Sequence, residues 1–308
     1  MLPQFVDFNA DGFMDIVTGT YDGSPHVAYG SANGFNKPGH ILDRNGDRIL
    51  LGQFWDYKAE TWQSGDGHCT SAVAFDWDAD GDYDILLGDY NKGHLALRIN
   101  EGTNEKPAFS TNNKPVMIGD KPFSVRGGMS APQMIDWDGD GLTDILCGGM
   151  KEGGVFYYRN TGAPGKPAFA AAETIIKPGM TVTKKTAPNN GCYAFAHDVD
   201  DDGDLDLLVG GYATWHPDRK PLTDEQTKRV EELKAIQEEI NEEMTALFEA
   251  VEKKAAGDTA KQEKLMEAIW EGEEYQALIE RMQTAWTELA ELEGQPKREA
   301  GVWFYRRK

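Results

Sequence analysis

The chain has 308 residues, 40% of them hydrophobic, with 34 glycines and a formal net charge of −21. That charge argues against binding nucleic acid or an anionic membrane surface, and no stretch approaches the roughly 20 apolar residues of a membrane span. The start, MLPQFVDFN, shows neither a basic region nor an apolar signal core, so no export signal is visible.

The first predicted element is a short apolar strand, PQFV, running into DFNADGFMDIVTG from Asp7. The same order returns three times: SAVAF before DWDADGDYDILLG at Asp76, PQMI before DWDGDGLTDILCG at Asp136, and CYAFA before DVDDDGDLDLLVG at Asp198. First positions are 69, 60 and 62 residues apart, which marks a structural repeat. Each copy offers side-chain oxygens at four places. Position 1 is Asp7, Asp76, Asp136 or Asp198; position 3 is Asn9, Asp78, Asp138 or Asp200. Position 5 is Asp11, Asp80, Asp140 or Asp202; position 9 is Asp15, Asp84, Asp144 or Asp206. The backbone carbonyl of position 7 (Phe13, Asp82, Leu142, Asp204) adds a further oxygen.

Short oxygen ligands on alternate residues suit a hard cation with six to eight ligands, and the glycine at position 6 permits the sharp turn around it. An EF-hand would close its loop with glutamate at position 12 and lie between helices. Position 12 here is Thr18, Leu87, Cys147 or Val209, and the segments that follow read as short β-strands. The expectation is four calcium ions in loops that lead into strands. Asn9, the one neutral ligand side chain, makes loop one the weakest. Four divalent ions would bring the formal charge to about −13.

After each loop strand come a glycine turn and a third strand, GHLALRI at 93–99 and GVFYYR at 154–159. Two near-identical connectors, NEGTNEKPAF and NTGAPGKPAF, then lead to a fourth, outer strand. Four antiparallel strands per unit of about 60 residues is the pattern of a propeller blade.

Residues 222–294 interrupt this pattern with 20 Asp/Glu against 8 Lys/Arg. TDEQ at 223–226 reads as a capping box. Val230, Leu233, Ile240, Met244, Leu247 and Val251 form one apolar stripe at helical spacing; Leu265, Ile269, Ile279, Met282, Trp286 and Leu289 form a second. The expectation is two helices of about 30 residues each, roughly 45 Å long, paired as an antiparallel hairpin through these stripes. Trp270, Gly272 and Tyr275 are where a partner site would be sought. GVWFYRRK at 301–308 matches GVFYYRN, so the hairpin interrupts the last blade between its second and third strands. The domain reading is repeats over 1–221, a helical coiled-coil insertion over 222–294, and a closing strand over 295–308.

No catalytic constellation emerges. The six histidines show no H-x-x-x-H or H-E-x-x-H spacing for zinc, and there is no nucleophile elbow or phosphate loop. His197, just before loop four, reads as a packed, hydrogen-bonded strand residue. Cys147 reads as a small core residue; Cys69 and Cys192 occupy matching places before loops two and four, and whether they pair is open.

The aspartate loops with their LLVG-type strands resemble the FG-GAP or VCBS repeats of secreted and cell-surface β-propellers, the repeat type also found in integrin α-subunit heads. The connectors and the GVWFYRR ending resemble bacterial secreted repeat proteins such as those of planctomycetes. The resemblance covers 1–217 and 297–308. It implies an all-β propeller of four recognisable calcium-loop blades, four or five in the intact ring, and a secreted, periplasmic or cell-surface location. Its implied role is a non-catalytic binding or scaffold module for a protein or glycan, with a polysaccharide lyase as the alternative. Relatives often carry a further blade and an export signal upstream, so a shortened chain with an open blade edge, able to pair in a dimer, is also expected.

Overall fold

The computed structural model describes residues 3–150, 153–177, 184–185, 187–217, 220–256 and 258–307. They form two compact units, one of β-sheets and one of helices.

In the β unit each repeat makes one antiparallel sheet whose strands follow chain order. Sheet 1 holds β1 (Gln4–Val6), β2 (Asp15–Gly19), β3 (Pro25–Ala28) and β4 (Gly39–His40). A hairpin of β5 (Phe54–Asp56) and β6 (Thr61–Gln63) follows. Sheet 2 holds β7 (Cys69–Phe75), β8 (Asp84–Asp89), β9 (Leu95–Arg98) and β10 (Lys114–Pro115), and a second hairpin joins β11 (Met117–Ile118) to β12 (Lys121–Pro122). Sheet 3 holds β13 (Ala131–Ile135), β14 (Asp144–Gly148), β15 (Val155–Tyr158) and β16 (Glu173–Ile176). Sheet 4 holds β17 (Asn190–His197), β18 (Asp206–Trp215) and β19 (Lys297–Tyr305), three strands among the described residues.

Strands buried on both faces read as continuous apolar runs, and the β8 and β14 runs are sorted between neighbours by the two-residue pleat. Ile85 and Leu87 enter the core shared with sheet 1, whereas Leu86 enters the core shared with sheet 3. Ile145 and Cys147 face sheet 2 and Leu146 faces sheet 4. Among the described residues, three cores thus lie between four successive sheets.

The glycine that ends each run has a packing reason. A Cβ on Gly19 would lie 2.3 Å from Ser71 N, on Gly88 2.2 Å from Ser130 O, and on Gly148 1.8 Å from Cys192 O. In each case the next sheet's backbone crosses over the glycine. Gly210, at the same place in sheet 4, has open space around it. Two glutamines clasp neighbouring sheets: Gln4 donates to the Ala74 carbonyl and accepts from its amide, and Gln133 does the same at Ala196. A cavity of about 270 Å³ is lined from all four first strands, by Gln4, Val73, Gln133 and Phe195.

The connectors fold alike. Asn100 Oδ1 accepts from the Gly102 and Ala108 amides, and Asn160 Oδ1 from those of Gly162 and Ala168. The cysteines do not pair: Cys69, Cys147 and Cys192 are all free and buried. His197 differs from expectation, being exposed at the end of β17 beside Phe195. The strand's pleat turns Ala194 and Ala196 into the core and these two residues away from it.

The described residues of the helical unit form three helices rather than two: α1 (Asp224–Ala255), α2 (Thr259–Trp270) and α3 (Glu273–Glu293). The capping box forms as expected, with the Gln226 amide donating to Thr223 Oγ1 and the Thr223 amide to Gln226 Oε1. The expected second helix breaks at Gly272, whose extended ψ of 143° makes it the N-cap of α3. Glycine is among the poorest helix formers, and here it ends one helix and starts the next. Arg229–Glu288, Glu243–Arg281 and Phe248–Tyr275 run in opposite order along α1 and α3, so the two are antiparallel. Val230, Leu233, Ile240 and Val251 are buried on α1. On α3 the buried apolar positions are Leu278 and Ala285, one residue before the expected Ile279 and Trp286; Trp286 is 63% exposed. No described helix is long and apolar enough to cross a membrane.

Candidate metal centres in the four aspartate loops

Each loop is shaped by its own carboxylates accepting backbone amides. Position 1 takes the amides of positions 5 and 6: Asp7 accepts from Asp11 and Gly12, Asp76 from Asp80 and Gly81, Asp136 from Asp140 and Gly141 (and also from Gly139), and Asp198 from Asp202 and Gly203. Position 5 accepts the amide of position 7 in all four loops. This curl needs left-handed backbone twice. Position 6 supplies it as glycine, with φ between 86° and 98°. Position 4 supplies it as Ala10, Ala79, Gly139 and Asp201, a requirement the sequence did not reveal because only one copy is glycine there.

Position 9 does a different job. Asp15, Asp84, Asp144 and Asp206 are buried. One oxygen of each accepts the amide of position 2, at Phe8, Trp77, Trp137 and Val199. The other accepts an amide just beyond the third strand, at Gly30, Asn100, Asn160 and Arg307. The residue therefore ties loop, second strand and third strand together.

Carboxylate oxygens converge within 4.8 Å in three loops: Asp76, Asp78 and Asp80; Asp136, Asp138 and Asp144; Asp198, Asp200 and Asp202. Position 9 joins the tight group only in loop three. In loop one Asn9 Nδ2 donates to Asp11 instead, at 2.9 Å.

The electrostatics differ between loops. Arg159 lies 2.7 Å from Asp138 and Arg306 lies 2.6 Å from Asp200, each projecting from the end of the third strand. In sheet 2 the corresponding residue is Ile99, and Arg98 before it turns inward to Ser110 O and Asn113. Loop two is left with five aspartates and no guanidinium. Burial pushes Asp84 up to about 7, against the amide bonds that pull it down. Burial, then the charges of Asp80, Asp78 and Asp76, push Asp82 up to about 6. Oδ1 of Asp82, and of Asp204 at the same place in loop four, is buried without a hydrogen-bond partner. Crowded carboxylates with orphaned oxygens fit a hard divalent cation, which would supply the missing positive charge.

Residues 136–209, from the first aspartate of loop three to β18, match the family model described as an FG-GAP-like repeat. This stretch is an FG-GAP-like repeat. No curated protein matches the chain. The FG-GAP match spans both loop three and loop four, and at a coarse level the repeat type goes with binding or scaffolding rather than catalysis. The loops of the first two sheets repeat its hydrogen bonding outside the matched residues.

The raised carboxylates give a signed pH dependence. Asp84 and Asp82 titrate higher folded than the roughly 3.9 of an unfolded chain. The folded, metal-free protein thus holds extra protons below about pH 7, and its stability falls as pH rises through that window. Metal binding to loop two needs those protons gone. Calcium titrations at pH 5.5 and pH 8 are expected to show loop two weaker at the lower pH by about 10-fold or more. Equal affinity at both values would mean these carboxylates are not coupled to the ion.

Proposed function

We propose that the chain is a calcium-stabilised, non-catalytic β-propeller module of the extracellular or cell-surface type, which presents its blades to a protein or glycan partner. The observation that carries the calcium reading is the convergence of aspartates in loops two, three and four, with orphaned buried oxygens on Asp82 and Asp204. Asp7, Asp76, Asp136 and Asp198 at position 1, with the side chains of positions 3 and 5, would hold the ions; position 9 would contribute directly in loop three and brace the others.

The propeller reading is supported by three features of the β unit. Sheets pack in chain order through repeated cores. The same glycine receives the next sheet each time. All four first strands border one cavity, as strands around a common axis would.

The function test pairs a glycan array with a lyase assay on acidic polysaccharides, both in calcium. Saturable binding to a glycan or protein with no unsaturated product supports the module reading. Turnover of a polysaccharide would replace it with the lyase alternative.

A further inference from the structure

Asp22, His26 and His40 meet on sheet 1, away from the aspartate loops. Asp22 lies in the turn between β2 and β3, and the two histidines are directly opposite each other on β3 and β4. Antiparallel partners point to the same side, so the pairing sets both imidazoles over one carboxylate. His26 Nε2 is 2.9 Å from Asp22 Oδ2 and His40 Nδ1 is 3.7 Å from the same oxygen. The rings stand 4.2 Å apart between centroids. Side-chain exposures are only 10% for Asp22, 14% for His26 and 26% for His40.

The surroundings hold the carboxylate still. Thr20 and the Ser24 amide donate to Asp22 Oδ1, while Arg48 and the Tyr57 hydroxyl donate to Oδ2. Such outer contacts orient a ligand, and an ion at Oδ2 would take the place of the His26 hydrogen bond there, with His26 Nε2 turning to the metal instead. One atom remains unexplained by a purely structural ion-pair knot. His40 Nδ1 is buried and has no hydrogen-bond partner. An orphaned ring nitrogen is costly to bury, and a metal ion in reach of all three ligand atoms would satisfy it.

We propose that Asp22, His26 and His40 bind one divalent transition-metal ion of the zinc type. Two imidazoles and one carboxylate suit a borderline cation at four-coordination with one open position, and are a poor set for calcium, which prefers oxygen. The site is independent of the calcium reading, since no loop aspartate takes part.

The test uses the full chain in saturating calcium, titrated with zinc chloride by calorimetry. One equivalent of zinc is expected, lost in His26→Gln and His40→Gln and retained in Asp84→Asn. No equivalent beyond calcium, or one that survives both histidine variants, overturns the proposal. A second measurement needs no variant: diethylpyrocarbonate modification mapped by mass spectrometry. Zinc is expected to slow modification of His26 and His40 by about 10-fold or more while leaving His94 and His197 unchanged. Equal modification of His26 and His40 with and without zinc overturns it as well.

Discussion

Removing calcium is expected to lower the melting temperature of the β unit by tens of degrees, and adding it back should restore the original melt. A site filled at 100 times its dissociation constant adds about 2.7 kcal/mol to the folded state. In a unit of this size each kcal/mol moves the melt by about 2–4 °C. One loop therefore accounts for roughly 5–10 °C, and four for several times that. The structural route is direct. Loop carboxylates without a cation repel one another across Asp76, Asp78, Asp80 and Asp82, and that strain reaches the strands through Asp84, whose two amide bonds hold Trp77 and Asn100. The near-ultraviolet signal of Trp77 and Trp137, beside loops two and three, reports the transition. An identical melt in chelator and in calcium would remove the metal from the account.

The second large effect is expected from a pair of glycines that look the same in sequence. Gly148→Ala should cost about 3 kcal/mol or more, because its Cβ would sit 1.8 Å from a backbone oxygen that cannot move aside. That corresponds to a drop of roughly 6–12 °C. Gly210→Ala, in the matching place of sheet 4, meets no atom within 4 Å. It should lie within about 1 kcal/mol of the parent, and alanine's smaller entropy loss favours a slight gain. Thermal melts of the two variants side by side decide it. Equal losses would mean that something covers Gly210 in solution.

The repeats and the aspartate positions were legible because both depend on short-range spacing. An oxygen every second residue, a glycine at position 6 and an apolar run leave a local mark that four copies amplify. The left-handed position 4 left none, since Ala10, Ala79 and Asp201 adopt it without being glycine. The two roles of position 9 were also hidden. Its partners, such as Gly30 for Asp15 and Arg307 for Asp206, come from beyond the third strand, and Arg307 lies 101 positions along the chain from Asp206. The break at Gly272 was visible as a residue but not as a boundary, because the apolar spacing continues past it. The shift from Trp286 to Ala285 has a similar cause: a large side chain outweighs alanine in any hydrophobic pattern, yet close helix contact favours the small one. His26 and His40 escaped a search for zinc spacing along the chain because strand pairing, not sequence distance, brings them together.

The three buried cysteines are distributed one to each inter-sheet core: Cys69 between sheets 1 and 2, Cys147 between sheets 2 and 3, and Cys192 between sheets 3 and 4. Burial pushes both Cys69 and Cys147 up to about 12, and raises Cys192 as well. None is a thiolate at neutral pH while its core is closed, and only the thiolate is the nucleophile. Alkylation must wait for a core to part. The chain therefore carries three built-in clocks, and the order in which an alkylating reagent labels them would read out which pair of sheets separates first.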